Sequence, residues 1–241
     1  MQISQIYFSD SPDPLPPFIS GCIDSVKQSF PESRHQLFDL EMARSFLREK
    51  YDGEVLHAFE TLKPYAYKSD LLRYCLLYEI GGWYFDSAVR PVSTIEVPES
   101  IETIAFKDMP IYSQTSWSCL NGVLYSRPKN AVYKTAINLV LENCKNLHYG
   151  INAICPTGPA LLGRAFAMCG ESSSRIFGDF TFLTPLHPNR NPAFVLPDGL
   201  IFALGKPSEG GDMKALGASG TNNYNEIYSS KNIYGEKSSS D

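Results

Sequence analysis

The sequence predicts an α/β domain in which strands and helices alternate around a largely parallel sheet. Short apolar runs closed by turn residues, longer runs with apolar residues at helical spacing, and the alternation of the two predict it. Ile3 to Phe8 is such a short run, closed by Ser9-Asp10-Ser11-Pro12-Asp13-Pro14, and reads as a strand entering a turn-rich loop. Ile19, Cys22, Ile23, Val26 and Phe30 then recur at helical spacing and stop before Pro31. His35 to Leu40 and Glu41 to Tyr51 repeat the pair as a second strand and a second helix.

Past the middle of the chain, Thr103 to Lys107 and Gly122 to Tyr125 read as strands, and Ala131 to Asn143 as an amphipathic helix. Thr157-Gly158-Pro159 opens another helix through Phe166, with Pro159 suited to its first turn. Ile201 to Leu204 is a late strand. From Gly205 onward, Gly, Ser, Asn and Lys predict loop with one short helix, ending in a disordered tail over residues 237–241. A chain of 241 residues without internal repeats fits one domain, placed over residues 1–236.

Composition narrows the function. A hydrophobic fraction of 43% with 20% charged residues excludes disorder for most of the chain. A net charge of -5 argues against a nucleic-acid binder, while leaving room for a local pocket that takes one nucleotide. The cysteines at 22, 75, 119, 144, 155 and 169 show no Cys-x-x-Cys spacing, and Cys75 lies in an apolar helical run where a buried thiol is expected. His35, His57, His148 and His187 show no metal-ligand spacing. The start, Met1-Gln2-Ile3-Ser4, has no signal-peptide pattern, and no apolar stretch approaches the ~20 residues that span a bilayer. The expectation is a soluble, cytoplasmic protein, with peripheral contact at the inner membrane face left open.

The informative segment is Ala66-Tyr67-Lys68-Ser69-Asp70-Leu71-Leu72-Arg73-Tyr74-Cys75-Leu76-Leu77-Tyr78-Glu79-Ile80. Ser69 is expected as the helix N-cap, with Asp70 in the first turn at the positive end of the helix dipole. Asp70, Arg73 and Tyr74 share one face at i, i+3 and i+4, and the apolar remainder predicts a buried helix. Gly81-Gly82 stops it, and Trp83-Tyr84-Phe85 follows as a strand ending at Asp86. The helix advances ~15 Å from Asp70 to Ile80. The strand returns by ~13 Å. A reversal at the glycines therefore brings Asp86 level with Asp70 and Arg73. Such a cluster suits a sugar or ribose hydroxyl and a bound diphosphate. A local Asp70–Arg73 ion pair that only supports the helix remains the alternative.

Ala66-x-x-Ser69-Asp70-x-x-Arg73-Tyr74-x-x-Leu77-Tyr78-x-x-Gly81-Gly82-x-Tyr84-x-Asp86 resembles the DXD-containing sugar-binding region of glycosyltransferase family 32, and distantly that of glucosylating bacterial toxins. The resemblance implies a GT-A fold, a Rossmann-like sheet flanked by helices, and a retaining transfer. The hexose would come from a nucleotide-sugar donor, a UDP-sugar ahead of a GDP-sugar, and go to a glycan acceptor, lipid-linked or not. It implies that Asp70, Arg73 and Asp86 are catalytic, with Ser69 and Asn121 at the donor and Tyr7 stacked on its base. Asp86 would also meet the Mn2+ or Mg2+ that such enzymes use.

The second aspartate of the motif is Ala88 here, and a methyl group cannot bind a cation. Two arrangements stay open. In one, a metal sits on Asp86 with oxygens from Asn222, Asn223 or Asp212. In the other, Arg90, Lys214 or Lys231 offset the diphosphate charge without metal. The leading expectation is a hexosyltransferase of capsule, lipopolysaccharide or exopolysaccharide synthesis. The alternatives are a protein-modifying glycosyltransferase and a degenerate nucleotide- or glycan-binding protein of the same fold.

Overall fold

Strand β1 (Gln2–Ile6) leads into helix α1 (Pro17–Ser29), strand β2 (Arg34–Phe38) and helices α2 (Leu40–Lys50), α3 (Gly53–Thr61) and α4 (Tyr65–Glu79). Strands β3 (Gly82–Phe85), β4 (Arg90–Pro91) and β5 (Thr103–Lys107) follow, then the short helix α5 (Pro110–Ser113) and strand β6 (Cys119–Ser126). Helices α6 (Ala131–Asn146) and α7 (Pro159–Met168) precede strands β7 (Arg175–Phe182), β8 (Pro192–Val195) and β9 (Ile201–Leu204). A 3-10 turn (Lys214–Leu216) and helix α8 (Tyr224–Ser229) complete the order. This computed structural model describes residues 1–208 and 210–235, so the expected tail over 237–241 lies outside the described residues.

Among the described residues the strands form one sheet in the order β2-β1-β3-β6-β5-β7-β8-β9-β4. It is mixed, not largely parallel as the alternation predicts. The pairs β1–β2, β1–β3 and β5–β7 are parallel, whereas β3–β6, β5–β6, β7–β8, β8–β9 and β4–β9 are antiparallel. The first half of the chain does alternate strand and helix, which forces parallel pairing. After β6 the chain forms a meander through β7, β8 and β9, and the sequence reading did not find β7 or β8.

The period of β3 sorts the core. Trp83 and Phe85 face one layer, where Trp83 lies 4.8 Å from Phe202 between ring centroids. Tyr84 faces the other layer, against helix α4. Helix α4 is apolar nearly all round, and Leu71, Leu72, Tyr74, Cys75, Leu76 and Leu77 are buried. Each such leucine stabilises the fold by about 2 kcal/mol through the area it removes from water.

Ser69 is not the cap of this helix. α4 starts a turn earlier at Tyr65, after Pro64, so Asp70 is a mid-helix residue and not part of the first turn. Proline fixes the entry, and the Tyr65 N–H donates to Asn222 Oδ1 at 2.9 Å, a partner from the far end of the chain.

The reversal at Gly81-Gly82 is present, with φ of +71° and +84°. A Cβ at Gly82 would stand 2.1 Å from the Gln2 carbonyl oxygen of β1. Gly82→Ala is therefore expected to destabilise the fold by at least ~2 kcal/mol through positive-φ strain plus the clash. Thermal unfolding checks this: an unchanged midpoint would show that β1 and β3 separate easily at this point.

Candidate active site

The site opens at the carboxyl ends of β1 and β3, adjacent parallel strands from which the chain leaves in opposite directions across the sheet, to β2 at one edge and to β4 at the other. Ligands in α/β sheets bind at such switch points. Tyr7 follows β1 and Asp86 follows β3, with the Asp86 N–H donating to the Gly122 carbonyl at 2.8 Å. Both line a cavity of about 840 Å3, together with Ser69, Asp70, Arg73 and Asn121.

Arg73 organises this corner. Its Nη2 lies 3.1 Å from Asp70 Oδ1 and its Nη1 lies 3.1 Å from Asp86 Oδ1. Nη1 also donates to the Asn121 carbonyl at 2.6 Å, Nε donates to the Ser69 carbonyl at 3.3 Å, and the guanidinium lies over the Tyr84 ring at 4.6 Å. Burial works against the Arg73 charge, but the Asp86 carboxylate, Tyr84 and Asp70 more than offset it and hold the group protonated.

Asp70 is saturated. Its Oδ1 accepts from Asn121 Nδ2 at 2.8 Å and its Oδ2 from Thr157 Oγ1 at 2.7 Å. Burial, opposed by Arg73 and by these bonds, pushes the Asp70 carboxyl up to about 6. Asn121 also donates to Tyr74 Oη at 3.0 Å, and that hydroxyl donates to the Thr157 carbonyl at 2.8 Å. The local Asp70–Arg73 pair is therefore one part of a network that ties α4, β3, β6 and the start of α7 together.

Exposure ranks the three charges. The side chains of Arg73 and Asp70 are 5% and 9% accessible, whereas that of Asp86 is 41% accessible. Asp86 is the most accessible of the three charges, and Arg73 bridges it to the buried Asp70. Tyr84 Oη donates to Asp86 Oδ1 at 2.8 Å and completes that support. Thr157 and Tyr84 belong to the corner but were not singled out for it. Their signal was their presence beside Gly158-Pro159 and inside the Gly-Gly-x-Tyr-x-Asp run.

Of the oxygens considered as metal ligands, those of Asn222 line the cavity with Asp86, whereas Asn223 and Asp212 are not among its described lining residues. Asn222 Oδ1 is taken by the Tyr65 N–H, Asn223 Oδ1 accepts from the Asn225 N–H at 3.0 Å as the cap of α8, and Asp212 Oδ1 accepts from the Ala215 N–H at 3.0 Å. Ala88 is buried with Ile19, Ile23 and Leu216, in an apolar cluster against which Tyr7 packs. Among the described residues no three His, Cys, Asp or Glu side chains gather as a metal site. The residues present do not fit a cation held by protein ligands.

The cations considered in their place lie elsewhere: Lys231 sits over Tyr149 and Tyr228, and neither Arg90 nor Lys214 is among the described lining residues. The sequence reading missed Lys206, Asp108 and Arg190, which line the cavity from the later loops. Asp108 is pushed up to about 6 by burial. Arg190 donates to Tyr112 Oη at 2.7 Å and lies over the Phe182 ring.

Residues 16–115 match the family model described as the glycosyltransferase sugar-binding region containing the DXD motif. An uncharacterized glycosyltransferase of Acanthamoeba polyphaga mimivirus is 28% identical over 100 residues, which is 42% of this chain and 39% of that protein. The chain thus matches about two-fifths of that relative's length. The solved PaToxG glycosyltransferase superposes with a TM-score of 0.50 at 16% identity, covering 70% of this chain and 68% of that one, a likeness of fold. No helix among the described residues is long and apolar enough to cross a membrane. Over residues 16–115 the chain is similar to the DXD-containing sugar-binding region of glycosyltransferases, and its fold is of the GT-A kind.

Proposed function

We propose that this chain is a retaining transferase that moves a hexose from a nucleotide-sugar donor to a carbohydrate acceptor. The observation that carries the reading is the half-exposed Asp86 carboxylate held at the cavity wall by the buried Arg73 and by Tyr84. A carboxylate fixed this way accepts hydrogen bonds from sugar or ribose hydroxyls without having to reorganise. Asp70 keeps Arg73 in place, and Tyr7, whose hydroxyl burial keeps neutral, offers its ring to the base. Also lining the cavity, Tyr112 and Phe182 meet edge to face with centroids 5.9 Å apart, a surface suited to a pyranose ring of the acceptor. A growing surface glycan is the acceptor class we assign.

The test is a panel of UDP- and GDP-hexoses assayed for release of nucleoside diphosphate. Slow hydrolysis of one donor, accelerated by glycan acceptors, is expected, with UDP-sugars the first to try. Ala88 favours a second reading, a binder of nucleotide or glycan without turnover. Thermal stabilisation by a donor that is never cleaved would establish that instead.

A further inference from the structure

The departing nucleoside diphosphate brings negative charge into a corner that is already acidic. Asp70 and Asp86 together outweigh Arg73, and Arg73 is committed to both. The motif's usual remedy, a dication on a second carboxylate, has no ligand set here. Position 88 is an alanine sealed against Ile19, Ile23 and Leu216, and Oδ1 of each of Asn222, Asn223 and Asp212 already accepts from a backbone N–H. A cation from the chain itself is needed. Of the cations among the described lining residues, Arg190 is exposed beside Tyr112 and Phe182, at the surface read as the acceptor's. Lys206 lines the same cavity as Asp86, from the loop directly after β9.

We propose that Lys206 does the work of the divalent cation, placing its ammonium against the donor's diphosphate so that transfer proceeds without metal. Burial lowers the proton affinity of Lys206, and the negative charges of Asp86 and Asp212 oppose that shift, which puts the ammonium in the electrostatic field of the Asp86 corner. An incoming diphosphate would act in the same direction as those carboxylates and keep the group charged. In the transfer, the bond between the sugar C1 and the β-phosphate oxygen breaks and its electron pair stays on that oxygen. The acceptor hydroxyl oxygen bonds to C1, and its proton passes to the released diphosphate. Lys206 offsets the charge that collects on the phosphate. A half-buried ammonium is suited to this, because a fixed charge in a partly dry site acts more strongly than one in water.

The inference rests on the transferase reading, and the experiment separates the two. Calorimetric titration of the full chain with UDP and with GDP, first in EDTA and then with added Mn2+, is the measurement. One of the two is expected to bind in EDTA with a Kd that Mn2+ changes by less than about 2-fold. Lys206→Gln should weaken that binding by about 10-fold or more, corresponding to ~1.4 kcal/mol. Binding of the matching nucleoside should be unchanged, and Lys206→Arg should restore most of the loss. Melting curves of the free variants control for folding, and should the Gln variant not fold, the Arg variant and the Mn2+ comparison still decide. Binding that requires Mn2+, or a Lys206→Gln variant that binds like the parent, overturns the role of Lys206 and leaves the transferase reading standing. Failure of both nucleotides to bind, with and without metal, overturns both.

Discussion

Arg73→Ala is expected to abolish sugar transfer and to destabilise the fold by about 3–5 kcal/mol, the usual cost of stripping a buried carboxylate of its cation. Arg73 touches both Asp70 and Asp86, each at 3.1 Å. Its removal leaves Asp70 buried with only Asn121 and Thr157 as donors, and frees Asp86 to leave its position at the cavity wall. The stability loss has a defined pH dependence. Asp70 already has its carboxyl raised above the ordinary value, so the proton it holds favours the folded state at low pH, and that contribution is lost as pH rises through about 6. Without Arg73 the carboxyl rises further and the window moves upward. The deficit in melting temperature should therefore be larger at pH 8 than at pH 5. Arg73→Lys tests the geometry, since one ammonium cannot reproduce the planar fork that spans two carboxylates, a backbone carbonyl and the Tyr84 face. A fully active Arg73→Ala enzyme with an unchanged melting curve would remove this corner from the site.

Asp86→Asn should behave differently: a fall in kcat/KM of about 10²–10³ with little change in stability. The Asp86 side chain is 41% accessible and the buried Arg73 keeps its pair with Asp70, so the fold should lose far less than in Arg73→Ala. An asparagine still accepts from Tyr84 Oη and still fits beside Gly122. What it lacks is the negative charge and the second acceptor oxygen offered to a hydroxyl. Gly122→Ala makes the complementary probe. A Cβ at Gly122 would approach Asp86 Oδ2 to 2.9 Å and push the carboxylate without altering its charge. Donor hydrolysis should fall in both variants, and full activity in both would mean that the ligand uses another group of the cavity. The contrast with Arg73 is the point of the pair: one residue builds the corner, the other presents it.

The sequence determined the local half of this site. The face shared by Asp70, Arg73 and Tyr74, the stop at Gly81-Gly82 and the strand to Asp86 are nearest-neighbour matters, set by helical and strand periods and by glycine's access to positive φ. Those periods were enough to bring Asp86 back to Arg73, and the three charges do meet. They also gave β1, α1, β2, α2, β5, α6, α7 and β9 to within a few residues of their bounds. The start of α4 was misjudged because its cap is tertiary: Pro64 sets the entry and Asn222 supplies the acceptor, whereas Ser69 merely resembles a cap residue. β7 and β8 gave too weak a pattern. β7 is only partly buried along most of its length, and β8 is four residues long.

Only the tertiary structure decided which charges are buried and which stays accessible, because that depends on how much water each side chain loses to elements distant in sequence. Thr157 and Asn121 reach Asp70 across more than fifty residues, Ala88 joins an apolar cluster, and Lys206 comes to the cavity from the loop after β9, on the far side of the sheet. Periodicity carries no information about such long-range pairings. They are fixed by sheet order and by the requirement that buried polar groups find partners.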